Sequence, residues 1–264
     1  MQVLKNIVVH SLAVLAAISC FISPLNLTAA PVAVLHHEGV SRGFLVLRAL
    51  GGRTLAFGDL VQSTHDDQVT VQFTLHFKDG SLQDETTVYS QRGNFHLLSD
   101  HLVQKGPSFP HPMEVSIDAA KHEFTVHYTE NGKEKDESEK LDVPEDAANG
   151  LMQNLMKNIA PATPQTTVSL VAATPKARVV KLVISPSGKR TFSAGGSSRQ
   201  ATDFLVKVDI GGVAGAVAPL VGKKPSDTHV WVYGGDAPVV VRVEGALYEG
   251  GPIWRIEPAS FVFH

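Results

Sequence analysis

The feature that most limits this chain is a two-residue apolar repeat that returns along most of its length. Val69, Val71, Phe73, Leu75 and Phe77 alternate with Thr70, Gln72, Thr74 and His76. Met113, Val115 and Ile117 alternate with Glu114 and Ser116, and Phe124, Val126 and Tyr128 with Thr125 and His127. The same pattern returns at Phe204, Val206, Val208 and Ile210, and at Val239, Val241 and Val243. Successive strand side chains point to opposite faces, so each run describes a strand with one buried and one wet face. That is the habit of antiparallel sheets. Gly51-Gly52, Asp79-Gly80, Asn131-Gly132, Ser187-Gly188 and Gly234-Gly235 lie near these runs and are expected as turns, because they accept positive φ. The mixed charges of residues 133–140 are expected on a solvated edge strand or loop. Gly195-Gly196-Ser197-Ser198 reads as a flexible loop.

One segment breaks the period. Pro144, Glu145 and Asp146 form a helix-start signal, with acids near the positive end of the helix dipole. Ala148, Leu151, Met152, Leu155, Met156 and Ile159 then follow at helical spacing, and Pro161 ends the run. A helix over about 144–159 is predicted. Residues 31–264 therefore read as one β-rich α+β domain: strands, one central helix, then strands again, with no repeat and no linker.

The N-terminus reads as an export signal. Lys5 precedes an almost wholly apolar stretch over residues 7–22, broken by Ser23-Pro24. A short basic segment before an apolar core is the pattern of a secretory leader, and this run is short for a membrane-spanning helix. Two processing sites compete. Thr28 and Ala30 supply small residues before a cut that would leave residues 1–30 as the leader. Alternatively, Ala17-Ile18-Ser19-Cys20 resembles a lipobox, which would lipidate Cys20. Cys20 is the single cysteine, so the exported chain has no disulfide and no thiolate site. Such a chain is expected in the periplasm or outside the cell, free or lipid-anchored. About 230 residues suffice for a core without staples.

The formal charge is −3, with 23 basic and 26 acidic residues. This near-balance has no basic stripe to displace counterions, and nucleic acid is not expected as a partner. Twelve histidines raise the question of metal. His122-Glu123-Phe124-Thr125-Val126-His127 has one residue too many for the zinc helix motif and lies on a strand pattern. His36-His37-Glu38 and His65-Asp66-Asp67 read as turns or strand ends, and His96 is placed to approach Asp100-His101. No metal and no cofactor are expected. GxSxG and the phosphate-cradle spacings are absent, and no pair of carboxylates stands out.

Apolar surface carries the functional reading. Leu151, Met152, Leu155 and Met156 form a helix stripe, and Trp231, Tyr233, Tyr248 and Trp254 are the aromatic candidates for a ligand pocket. Each set also suits an ordinary core. The glycine-rich apolar segment 211–222 reads as a packed loop or short helix at the sheet rim. Its alternative is a flap over a cavity or a peripheral membrane contact.

The order strand, central helix, strand over residues 34–263 resembles the half-barrel layout of lipoprotein-carrier (LolA-like) envelope proteins. The ending from Glu244 through Gly250-Gly251-Pro252 to Glu257 is similar to that of other bacterial secreted proteins. The resemblance implies a curved antiparallel sheet, a helix across its concave face and an apolar cavity between them. The expected role is a non-enzymatic carrier or binding protein for a lipid-like or apolar ligand. The alternatives are an interaction module with no small ligand, and a hydrolase whose site the sequence does not display.

Overall fold

A computed structural model describes residues 29–209 and 225–260. Residues 1–28 of the expected leader, Cys20 among them, and segment 211–222 lie outside them. The strands are β1 (Ser41–Ala49), β2 (Thr54–His65), β3 (Gln68–Phe77), β4 (Leu82–Ser90), β5 (His96–Lys105), β6 (Met113–Asp118), β7 (Glu123–Glu130) and β8 (Lys133–Lys140). The helix α1 (Met152–Lys157) follows, and then β9 (Thr166–Ala172), β10 (Arg178–Ala194), β11 (Ser197–Asp209), β12 (Thr228–Tyr233), β13 (Val239–Gly245) and β14 (Trp254–Pro258). All belong to one open, curved, antiparallel sheet of 14 strands. The mainly β, antiparallel fold read from the period-two runs is therefore the observed one, and its sheet is curved as the layout resemblance implies.

The strand order is β8-β7-β6-β5-β4-β3-β2-β1-β14-β13-β12-β11-β10-β9. Two meanders thus lie side by side, joined at the middle where β1 pairs with β14 over Leu45–Ala49 and Trp254–Pro258. Since β8 and β9 are opposite edges of the sheet, the chain between them must travel from one edge to the other. It does so across the concave face, and α1 lies in that crossover.

The alternation sets the two faces. In β3, Val69, Val71, Phe73, Leu75 and Phe77 all point into the concavity and are buried. Val115 and Ile117 of β6, Phe124 and Val126 of β7, Leu182 and Ile184 of β10, and Phe204 and Val206 of β11 join them around Leu151, Leu155 and Met156. Residues from both meanders and the crossover therefore share one core. A second cluster fills the concavity near β1 and β14, with Leu47, Phe73, Leu75, Phe77, Phe109 and Trp254.

The edges are managed differently. The alternating charges of β8 form the edge strand the sequence indicated, and charge deters further pairing there. The β9 edge is covered by the crossover itself. Ala147 forms a parallel bridge with Ser169, Ala148 N–H donates to the Ser169 carbonyl at 2.8 Å, and Ser169 N–H donates to the Asp146 carbonyl at 3.1 Å.

This pairing explains where helix 144–159 departs from expectation. Residues 146–148 behave as a short strand beside β9, so helical structure starts only with a 3₁₀ turn at Asn149–Leu151 and ends at Lys157. Backbone groups given to β9 cannot also close helical turns. Two turn assignments change as well. Ser187-Gly188 sits inside β10, where the register with β11 slips between Pro186 and Gly188, a bulge that bends the long hairpin. Gly195-Gly196 is no loose loop: with φ of 57° and 77° the pair makes the two-residue turn joining β10 to β11, with Ser197 and Ser198 already in the strand.

Leu155, only 2 % exposed at the centre of the shared core, reports on this arrangement. Leu155→Ala is expected to cost about 2–5 kcal/mol, the usual range for a core leucine. Urea unfolding followed by circular dichroism measures it, and a cost below about 1 kcal/mol would contradict the packing described.

Candidate functional site

The concave interior and the crossover that fills it form the candidate site. The crossover is short of regular structure, so side chains rather than a helix ladder fix its place. Asn149 acts as a strand mimic, its amide accepting from Val171 N–H at 3.1 Å and donating to the Val171 carbonyl at 3.0 Å. Asn154 donates to Gln62 Oε1 at 2.8 Å and to the Tyr89 hydroxyl. Asn158 accepts from Leu35 N–H and His36 N–H, both at 2.7 Å. Lys157 Nζ lies 2.6 Å from Glu38 Oε1 in a largely enclosed ion pair.

These last contacts bring in an N-terminal strap. Phe95 N–H donates to the Val32 carbonyl and Val34 N–H to the Gly93 carbonyl, while Glu38 is gripped by Gln91 and Gln62. Val32 and Val34 pack against the shared core. Helix and strap thus hold each other through polar groups that face inward. Burial raises the Tyr89 hydroxyl pKa strongly, partly offset by the bond from Asn154.

The polar character of the interior is concentrated on β4 and β5. Gln83, Glu85 and Thr87 are in phase with Tyr89 on the concave face, paired with Gln104, Leu102 and Asp100 respectively. Thr87 Oγ1 donates to Asp100 Oδ1 at 2.6 Å, and Asn149 Nδ2 approaches Asp100 Oδ2 at 3.4 Å. Burial lifts the Asp100 pKa to about 6, opposed by its bonds from Thr87 and Asn149. Glu85 is driven well up, first by burial and then by the Asp100 charge. Gly150 sits directly over this group. A Cβ there would fall 1.9 Å from Thr87 Oγ1, 3.0 Å from Glu85 Oε1 and 3.1 Å from Asp100 Oδ1.

The eight proposed ligand-contacting residues do not meet in one place. Leu151, Leu155 and Met156 are buried in the shared core, with Met152 packed at its margin. Tyr248 and Trp254 lie in the second cluster, in contact with Phe109 and Phe77. Trp231 and Tyr233 belong to a third cluster with Phe192, Ala194, Ala201 and Val241. Since Val230 and Val232 face the shared core, alternation puts Trp231 on the convex side, where the Arg242 guanidinium lies 4.0 Å over its ring. The four C-terminal aromatics are near one another in sequence but divided by the sheet.

The titratable clusters also resolve. His122 pairs with Asp142 at the open end of the β7–β8 hairpin, and His127 Nδ1 lies 2.7 Å from Asp136 on the convex side, which raises the His127 pKa. The expected approach of His96 to Asp100-His101 does not occur. His96 meets the Glu145 carbonyl, Asp100 faces inward and His101 faces outward to Ser116. No three histidine, cysteine or carboxylate side chains gather as metal ligands among the described residues. Ser187 and His229 both approach fully buried Asp203, at 3.1 and 3.0 Å. The serine donates to the carboxylate and not to the imidazole, which is not the arrangement that activates a nucleophile. Lys181 Nζ donates to Ser169 Oγ at 2.7 Å, but Ser169 is fully buried and donates onward to Asp146.

Sequence reasoning missed the asparagines of the crossover and the polar group on β4 and β5. The signal was present: Gln83, Glu85 and Thr87 occupy the phase that Tyr89 marks as inward. Comparisons with protein-family models, curated proteins and solved structures find no match to this chain.

Two outcomes follow from this geometry. Gly150→Ala should lower stability by at least about 2 kcal/mol, because the buried Thr87 hydroxyl and the Glu85 and Asp100 carboxyl groups around it must give way; a thermal melt unchanged from wild type would contradict the close approach. For the acids, a folded-state pKa above the unfolded one stabilises below the unfolded value, and that contribution is lost as pH rises through the folded one. Wild-type stability should therefore lose a component between about pH 4 and pH 6. Glu85→Gln should gain on wild type as pH rises above about 4.5, where the unfolded carboxyl ionises and the buried one resists, in melting curves taken at each pH.

Proposed function

We propose that this protein is an exported, non-enzymatic carrier for a lipid-like or otherwise apolar molecule, in which the crossover occupies the ligand's place while the chain is unloaded. One observation supports this above the rest: the concave face of a single curved sheet is lined with apolar side chains, and what covers them is a six-residue helix held at separate points by side-chain hydrogen bonds. A segment fastened in this way moves by exchanging a few polar contacts, whereas a long packed helix would have to unzip a continuous interface. Displacing Leu151, Leu155 and Met156 would open a lining of Val, Ile, Leu and Phe suited to an alkyl chain. Burial of that chain then supplies the binding free energy, at about 25 cal/mol per Å². The curved sheet suits such a carrier, and the export leader expected from the sequence would take the chain to a cell envelope.

A second reading has its own support. Leu151, Leu155 and Met156 are each at most 2 % exposed, so the interior is already closed by protein. An envelope interaction module with no small ligand would have this dry core.

The two are separated by denaturing mass spectrometry of an organic extract from protein purified out of its native compartment. A carrier yields an apolar compound in near-stoichiometric amount. An extract that stays empty after incubation with total membrane lipids would reject the carrier and leave the module.

A further inference from the structure

The convex face carries a feature that the interior does not explain. Most of this face is polar, yet Phe44 of β1 is 64 % exposed and Phe57 of β2 is 55 % exposed. They share the face: Phe57 stands opposite Val46, and Phe44 is two residues before Val46 on the same strand. Val40, two residues before Arg42, is 79 % exposed, and Leu50 at the β1–β2 turn is 52 % exposed. Each ring has its own cation. The Arg42 guanidinium lies 5.5 Å from the Phe44 centroid, and Lys78 Nζ lies 5.7 Å from the Phe57 centroid. Arg53, beside Leu50 in the same turn, is also exposed.

The acids around them are occupied. Asp59 pairs with Arg42 at 3.8 Å, Asp84 accepts from Thr74, and Glu244 and Glu257 are held by Arg255 and Arg242. Lys78 and Arg53 form no ion pair among the described residues. We propose that the convex surface around Phe44 and Phe57 docks the protein onto an anionic lipid bilayer, with the rings and Leu50 entering the headgroup region and Lys78 and Arg53 meeting lipid phosphates.

Charge and area favour a bilayer as the occupant. At 64 % and 55 % exposure the two rings offer roughly 250 Å², well below the ~800 Å² that each partner contributes to a stable protein interface. A lipid surface needs no shape match. It takes separate apolar side chains flanked by cations, since burial in the headgroup region and attraction to anionic lipid add together. Docking through this face does not require the interior to hold a ligand.

The experiment is co-sedimentation of the mature chain with vesicles. Wild type should bind vesicles of equal parts phosphatidylglycerol and phosphatidylcholine about tenfold more strongly than phosphatidylcholine alone, and rising salt should release it. Phe44→Ser with Phe57→Ser should lower binding to the anionic vesicles about tenfold while the circular dichroism spectrum is kept, because both side chains are exposed. Lys78→Glu with Arg53→Glu should abolish the preference for anionic lipid. Wild type that stays in the supernatant with anionic vesicles, or ring variants that sediment as wild type does, would overturn the proposal. So would a wild-type dimer in sedimentation velocity that the ring substitutions dissolve, since the patch would then belong to a second copy of the chain.

Discussion

The structure depends on one topological constraint: the chain must pass from one edge of an open sheet to the other. Eight strands are laid down in order to one side, and the chain then restarts at the far edge and works back until β14 meets β1. The sheet is curved, and the crossover of some two dozen residues takes the inside of the curve. Core and candidate site follow from that single passage.

The crossover does three tasks with few residues. Residues 146–148 cover the β9 edge, Leu151, Leu155 and Met156 fill the concavity, and Asn149, Asn154 and Asn158 fasten the segment to both meanders and to the strap. Polar anchors in an apolar interior cost desolvation, which their hydrogen bonds offset. Such anchors specify position rather than add much net stability. A segment that is precisely placed yet thinly bonded is what a displaceable plug requires. The buried acids beneath Gly150 fit the same description, since they position the 3₁₀ turn at a cost that grows when they ionise.

The two faces divide the chemistry. The interior offers aliphatic and aromatic surface with a small polar band on β4 and β5. The convex face offers ion pairs between β13 and β14, Trp231 under Arg242, and two exposed rings with cations beside them. A half-barrel that holds an apolar molecule inside and touches a lipid surface outside would bring cargo and source together without a second domain.

Sequence alone determined the strands at Val69–Phe77, Met113–Ile117, Phe124–Tyr128, Phe204–Val208 and Val239–Val243 and their antiparallel habit, because period two is a local property that each run states for itself. Val69 to Phe77 needed no tertiary information to declare an inward face. The single interruption near Leu151 was equally legible, but its extent was not. Pro144 and the acids after it look like a helix start, and only the presence of β9 alongside drew Ala147 into a bridge with Ser169 instead. The same limit applied to the aromatics: Trp231 and Trp254 lie 23 residues apart in sequence, and which face each occupies was set by strand register and by the bulge between Trp231 and Val232. Asp100 and His101 are neighbours on β5 and point to opposite faces by alternation alone, but which of them faces inward was decided by how β5 sits in the sheet. Local pattern fixes what a residue can be. The pairing of distant strands fixes what it touches, and the acid pair, the asparagine anchors and the exposed rings exist only at that second level.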